Sequence, residues 1–378
     1  MRIDYLEVIH YRNYRRQQIE PVEGLNIFVG ENAQGKSNLL ESMYVLATSK
    51  STRASRDSEL ILFGEPSASI RARVNRIKDI DLAIEFDVSL VEKKFAKLNG
   101  SRHTRMADVI GQVNAVMFDS GDLETIRGEP SVRRRFLDLE ISQTSPRYVH
   151  SLGAYRKTIE QRNFLLKEIR ERRARPGSLE TLSAWNVQLA NYGSLLIDRR
   201  RSFLSRLSVI AAEAHSLLSD GRDLLEITYL PSFHVNDVSD VTGIQQEFLN
   251  QLAFVSDDEK ARGTTLIGPQ RDDVSFSVSK RDSKLFGSQG QQRTVALAVK
   301  LAERQLIEEL VGEPPVLLLD DVLSDLDDLR RRRLFEYVGE TGSQTFVTCT
   351  NLRAFPASIL ERARIWNVCE GKAEISGG

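Results

Sequence analysis

Residues 30–37 read GENAQGKS. They fit the spacing G-x-x-x-x-G-K-[ST], which makes a phosphate-binding loop when it joins a strand to a helix. Both flanks satisfy that condition. LNIFV (25–29) reads as a buried strand, and KSNLLESMYVLATS (36–49) carries apolar residues at helical spacing, so an amphipathic helix is expected there. Glycine lets the backbone curl until its N–H groups point inward, and the helix N-terminus adds a dipole that favours anions. On this reading Gly30, Glu31, Asn32, Ala33, Gln34 and Gly35 surround the phosphates of a nucleotide. Lys36 reaches the β- and γ-phosphates, and Ser37 ligates Mg²⁺. An ordinary glycine-bearing turn between strand and helix is the weaker alternative.

The second half of such a site is expected on a strand that ends in carboxylates. VLLLDD (316–321) is an apolar run closed by two aspartates. A strand this apolar fits a parallel sheet buried on both faces. Groups at its C-terminal end then lie on the edge where ligands bind. Asp320 is the expected second Mg²⁺ ligand, and Asp321 would orient the attacking water as a catalytic residue. Lys36 stands 284 residues before Asp320. A compact P-loop enzyme needs far less, so something large is inserted between the two halves.

The intervening sequence identifies the insertion. Residues 70–99 alternate apolar and polar, which reads as a half-buried antiparallel meander. VNAVMF (113–118) is a short buried strand. From about residue 131 to 218 nearly every residue is a helix former, broken by Pro176-Gly177. That is a helical hairpin, expected to project as an arm with Phe164 and Trp185 in its core. LLEITYLP reads as a strand, 242–262 as one helix, and TTLIGPQRDDVSFSV as a strand pair. The last third alternates helix and strand (VLLLDD, QTFVTCT, ARIWNVC), the rhythm of a parallel sheet. The expected fold class is α/β: a mixed sheet with helices plus an antiparallel meander, carrying an inserted helical hairpin. Residues 1–130 and 264–378 would form the head, and 131–263 the arm.

The chain has 378 residues, 41% of them hydrophobic and 28% charged, which is an ordinary globular composition. The formal net charge of −1 gives no global attraction to nucleic acid or membrane. Dense arginine runs at 133–135, 170–175, 199–201 and 330–333 are solvated helix surface taken singly, and together hint at patches facing an anionic partner. Two cysteines, Cys349 and Cys369, are too few for a disulfide framework and read as buried thiols in a reducing compartment. The N-terminus is not a signal peptide and no apolar run is long enough to cross a bilayer, so a cytoplasmic location is expected. The five histidines are scattered without ligand spacing, so no metal beyond Mg²⁺ is expected.

One stretch remains. FGSQGQQR (286–293) is polar and glycine-bearing, and it opens a helical run about thirty residues before the acidic strand. A P-loop, a Ser-x-Gly-Gln loop opening a helix, an apolar strand ending in two aspartates and SDLD (324–327) together resemble ABC-type ATPases. More narrowly, the chain resembles the RecF family of bacterial recombination mediators. The carrying stretches run from end to end: GENAQGKSNLLESMYVLA, SRDSELI, PSVRRRFLD (130–138), YRKTIEQRNFLLK, RGTTLIGPQRDD, FGSQGQQRT and GEPPVLLLDDVLSDLD. The related chromosome-maintenance ATPases have coiled coils of hundreds of residues, whereas this arm is under a hundred.

The resemblance implies an ATP site split between two copies of the chain. One would give the P-loop and Asp320. The other would give Ser288, Gly290 and Gln291, with Ser288 meeting the γ-phosphate. It implies an ATP-dependent homodimer that clamps duplex DNA near single-strand gaps, with RecR and RecO as partners, RecA loading as the outcome, and roles at stalled forks and in the SOS response. Thr348 and Thr350 stand near the place of the switch histidine of transporters, which implies slow hydrolysis. Two stretches depart from the family: FDSGDL (118–123) replaces its Phe-Ser/Ala-Pro-Glu-Asp-Leu, and Gln270 replaces the histidine of GPHRDD. Two alternatives stand beside this reading. One is an ABC-type ATPase that signals to a protein partner in a defence or stress module. The other is a small-molecule kinase on a P-loop scaffold, which FGSQGQQR disfavours.

Overall fold

The structure is a computed structural model that describes residues 1–376 apart from 78, 79, 220, 222 and 236–239. It divides into two compact units, Met1–Asp122 with Ala296–Gly378, and Leu123–Val295.

The first unit opens with β1 (Arg2–Tyr11), β2 (Tyr14–Ile19) and β3 (Leu25–Val29), then helix α1 (Lys36–Thr48). It continues through β4 (Ser67–Arg76), β5 (Ile80–Ser89), β6 (Phe95–Leu98), β7 (Ser101–His103) and β8 (Ala115–Phe118). The second unit runs from α2 (Asp122–Arg127), whose first residue still belongs to the first unit, through α3 (Pro130–Thr144), α4 (Pro146–Arg170), α5 (Ser178–Ser219), β9 (Leu225–Leu230), α6 (Val241–Phe254) and α7 (Ser256–Arg262). It closes with β10 (Asp273–Val278), β11 (Arg281–Asp282), α8 (Ser283–Phe286) and the start of α9 (Gln289–Val311). The chain then returns to the first unit as β12 (Val316–Asp320), α10 (Asp328–Glu340), β13 (Thr345–Cys349), α11 (Ala357–Leu360), β14 (Arg364–Cys369) and β15 (Lys372–Ile375).

Two six-stranded sheets build the first unit. One has the order β15-β14-β3-β13-β12-β8 and is parallel except for β15 at its edge. The other, β2-β1-β4-β5-β6-β7, is antiparallel throughout and contains the meander expected over 70–99. One apolar cluster joins α1 to residues of both sheets, among them Val8, Ile70, Ile84, Leu318, Phe346 and Trp366. Every residue of α1 except Ser37 and Asn38 is buried. The helix is therefore covered all round, as a helix inside a core must be, and is not the one-faced amphipathic helix expected from its spacing. Each fully buried Leu, Val or Phe in such a core contributes about 1.5–3 kcal/mol relative to exposure. That anchors the helix whose first turn bears Lys36 and Ser37.

In the second unit α4 and α5 form the expected helical hairpin, turned at Gly177 with φ 84°. Three expectations fail here. Phe164 is 65% exposed and Trp185 only half-buried, so Phe164 is not hairpin core. Residues 242–262 break at Val255 into α6 and α7. Within TTLIGPQRDDVSFSV only one strand forms, from Asp273, and residues 265–272 make side-chain bonds in place of a ladder: Gly268 N–H donates to Ser232 Oγ at 2.7 Å and Asp272 accepts from Ser232 N–H at 2.7 Å. The arginine runs also prove partly internal. Arg133 is 5% exposed and grips Asp273 with two bonds of 2.6 and 2.9 Å. Arg200, in the middle of α5, is buried and donates to Tyr148 Oη, the Pro269 carbonyl and Asp138 Oδ1. Buried guanidinium groups persist only when paired in this way. Cys349 is buried as expected, but Cys369 is exposed.

Candidate nucleotide-binding site

The parallel register decides which residues meet. Leu319 pairs with Val347 and Asp320 with Thr348, while Cys349 pairs with Val29. The C-terminal ends of β3, β13 and β12 therefore share one edge, where the phosphate loop begins. Ser37 Oγ donates to Asp320 Oδ1 at 2.7 Å across 283 residues of sequence. Thr348 Oγ1 donates to the same oxygen at 2.8 Å and accepts from Asp321 N–H at 2.9 Å. Asp321 is exposed, with a left-handed backbone at φ 54°. The side chains of Ser324 and Asp325, in the SDLD stretch, lie outside the described residues.

The loop is braced from outside. Gln34 O accepts from Asn13 Nδ2 at 3.0 Å and from Gly371 N–H at 3.1 Å, and Gln34 Oε1 accepts from Glu370 N–H at 2.7 Å. Gly30 N–H donates to the Cys349 carbonyl at 3.3 Å. Gly35 has φ 113°, and a Cβ there would lie 2.6 Å from Asn13 Nδ2 and 2.8 Å from Tyr14 Oη. Only glycine fits that position. Ala33 also takes a positive φ of 63°, so the chain bends twice within three residues. Lys36 is 7% exposed, and its Nζ donates to the Gly30 and Glu31 carbonyls at 2.7 and 2.6 Å. Burial pulls its ammonium below the usual lysine range, against the opposing carboxylates of Asp321 and Asp320 and the Cys349 sulfur.

Sequence reasoning missed the support around this loop. Arg12 and Asn13 form the turn between β1 and β2. Arg12 holds the fully buried Glu41 of α1 with two bonds of 2.8 Å, and Tyr11 and Ser51 also donate to Glu41. Arg53 donates to the Ser37 carbonyl at 2.9 Å and to Asn38 Oδ1 at 3.1 Å. The one signal for Arg12 and Asn13 was a tight polar break, YRNY, between two strand patterns.

FGSQGQQR belongs to the second unit. Ser288 Oγ accepts from Gln291 N–H at 3.2 Å, and Gln291 Oε1 accepts from Ser288 N–H at 3.1 Å. This reciprocal pair is a capping box, so Ser288 caps α9. Ser288, Gln289 and Gly290 are exposed, leaving the helix N-terminus open to an anion. A Cβ at Gly290 would meet nothing nearer than Ser288 Oγ at 4.0 Å. The structure thus brings Gly30–Ser37, Asp320 and Asp321 into one unit, and leaves Ser288, Gly290 and Gln291 in the other.

The oxygen pair of Ser37 and Asp320 suits a hard cation. Mg²⁺ characteristically takes one or two protein oxygens and completes its shell with water and phosphate. Among the described residues no helix is long and apolar enough to cross a membrane.

A P-loop between β3 and α1, an acidic end on β12 and an antiparallel sheet over the same core define an ABC-type ATPase head. The family model described as the RecF/RecN/SMC N-terminal domain matches residues 2–366. The chain is 42% identical over 372 residues to the DNA replication and repair protein RecF of Shouchella clausii, covering 98% of each. It is 40% identical over 374 residues to the protein of that name from Bacillus mycoides, covering 99% of this chain and 98% of the relative. A solved structure of the recombination mediator protein RecF with ATP, in the RecFOR pathway, matches with TM-score 0.91 at 33% identity, covering 99% of this chain and 97% of that one. The Smc head of Pyrococcus furiosus, bound to the C-terminal domain of ScpA, shares the fold with TM-score 0.55 at 18% identity. The chain belongs to the RecF family.

Proposed function

We propose that this protein is an ATP-dependent, DNA-binding recombination mediator whose ATP site is completed by a second copy of the chain. The observation that carries the reading is the 2.7 Å contact of Ser37 Oγ with Asp320 Oδ1. It brings a P-loop hydroxyl and an acidic strand end together from opposite ends of the sequence. Gly30, Glu31, Asn32, Ala33, Gln34 and Gly35 wrap the phosphates with backbone N–H groups, and Lys36 releases its two loop carbonyls to neutralise the β- and γ-oxygens. Ser37 and Asp320 hold Mg²⁺, which supplies charge neutralisation on the phosphates when bound. Asp321 orients the water. The partner's Ser288 and Gly290, both exposed, and its half-buried Gln291 meet the γ-phosphate with a helix N-terminus.

ATP then joins two heads over duplex DNA near single-strand gaps, through phosphate contacts and largely without base readout. Slow hydrolysis resets the clamp. We take RecR and RecO as partners from the RecFOR pathway in which the solved relative acts, and RecA loading in gap repair, fork maintenance and the SOS response as the purpose that the family resemblance implies. A second reading, signalling to a protein partner through the arm, draws on exposed Phe164, Leu179 and Val187 of α4 and α5.

Gel filtration of wild type and Ser288→Arg with ATP and Mg²⁺, with and without gapped duplex, separates these readings. The wild type is expected to migrate as a dimer with the DNA, in a manner that weakens steeply with salt. Ser288→Arg is expected to bind ATP as a monomer and not to pair. Dimers of Ser288→Arg with ATP would overturn the trans site. A wild-type dimer that ignores DNA would favour the protein-partner reading.

A further inference from the structure

We propose that Lys300 is a positioning residue that fastens α9, the helix opened by FGSQGQQR, to the loop leaving β8, and so couples nucleotide binding to head pairing. The inference rests on the trans-site reading and adds to it a residue outside every motif named above.

The geometry lies within the first unit. Phe118 is the last residue of β8 and pairs with Leu319 of β12. The next residues along these parallel strands, Asp119 and Asp320, therefore leave the sheet at the same edge. Asp119 Oδ1 accepts from Gly121 N–H at 2.7 Å, and Asp119 N–H donates to Asp122 Oδ2 at 2.9 Å. This closes a tight turn whose far side is Asp122. Lys300 Nζ stands 3.5 Å from Asp122 Oδ1 and 3.0 Å from Glu303 Oε2. Lys300 is 7% exposed and Glu303 is fully buried. Lys300 and Glu303 sit in the continuous helix that starts at Gln289.

Asp122 and Glu303 thus share one ammonium, and Asp119 stands beside Asp122. Burial, then the charges of Asp119 and Glu303, raise the Asp122 carboxyl to about 7, while Lys300 and the Asp119 backbone N–H oppose them. Below that value Asp122 is neutral and the charge pair with Lys300 is lost. Above it the pair is complete. Apolar side chains would fasten α9 at lower desolvation cost. An ion pair between a loop at the phosphate edge and the helix opened by FGSQGQQR can instead be made or broken as the edge responds to a nucleotide.

A pair that only holds the fold together would change the melting temperature and leave the response to ATP unaltered. Sedimentation of the full chain with and without ATP and Mg²⁺, alongside ATP titration of the monomer, separates the two. Lys300→Met is expected to weaken ATP-driven pairing about tenfold with monomer ATP affinity unchanged, and Lys300→Arg to restore most of it. Asp122→Asn keeps the shape and is expected to lose the rise in pairing that wild type shows between about pH 6 and about pH 8. If Lys300→Met does not fold, Asp122→Asn decides alone. Wild-type pairing in both variants, or a pH step that survives in Asp122→Asn, overturns the role of Lys300 while leaving the trans site intact. A wild-type chain that stays monomeric with ATP sinks both.

Discussion

The loop at 30–37 and the loop at 286–293 suit the same kind of anion by opposite means. The first is braced on every side. Asn13, Glu370 and Gly371 hold Gln34, Gly35 has no room for a methyl group, and Lys36 is folded onto the loop's own carbonyls. The second is held by groups of its own unit. Ser288 and Gln291 cap one another, Gln291 reaches Asp223 at 3.4 Å, and a Cβ at Gly290 would meet nothing nearer than Ser288 Oγ at 4.0 Å. A pre-organised cradle loses little freedom when it binds a phosphate. An open helix end with spare room binds weakly alone and gains from a second surface. The glycines carry the same lesson: Gly35 is demanded by the chain's own fold, whereas Gly290 is consistent with close approach by something outside it.

Four substitutions probe this contrast, in order of expected effect. Lys36→Met removes the buried cation of the loop, and on the proposed role should weaken ATP binding by about 3 kcal/mol or more, roughly a hundredfold, in titration calorimetry. It should abolish ATP-stimulated DNA binding at the same time. If that stimulation survives, the braced loop is not the nucleotide site. Gly35→Ala forces a side chain into a left-handed, filled position and should lower stability by about 2–3 kcal/mol in denaturant melts. A melt equal to wild type would mean the bracing is slack.

Glu41→Gln tests the second layer of bracing. Burial alone would raise the Glu41 carboxyl, but hydrogen bonds from Arg12 and Ser51, with the Arg53 and Arg12 charges, hold it below the usual glutamate range. A carboxylate with a lowered folded value contributes stability above its unfolded value and loses it as pH falls through the folded one. Glu41→Gln should therefore cost about 2 kcal/mol near neutrality. The gap should close below about pH 4. A gap constant with pH would remove charge from the account. Gly290→Ala should have the smallest effect on the fold and in the opposite sense, a gain of up to about 1 kcal/mol from helix propensity. ATP-driven pairing should nevertheless weaken. Unchanged pairing would mean that nothing approaches Gly290 closely.

The two regions were also unequally legible. GENAQGKS and VLLLDD declare their chemistry through local spacing, and the strand and helix around each could be read from periodicity. The capping box of Ser288 and Gln291 was likewise within reach, as a Ser-x-x-Gln ahead of an apolar run. The bracing was not. Arg12 and Glu41, Gln34 and Glu370, and Ser37 and Asp320 are separated by 29, 336 and 283 residues, and nothing local marks them as partners. The arginine runs misled for the same reason. Charge read along a line suggests a solvated face, but the partners of Arg133 and Arg200 in Asp273 and Pro269 lie far along the chain. Burial there depends on which elements pack together.

The sequence by itself determined the phosphate loop, the acidic strand, the inserted helices and the family, because each rests on short-range spacing or on end-to-end similarity. Only the tertiary structure decided that α1 is enclosed by both sheets, that Thr348 bridges Asp320 to the backbone of Asp321, and that Lys300 faces Asp122. Those facts follow from sheet register and from how helices bury against it, and register is set by the whole core at once rather than by any one segment.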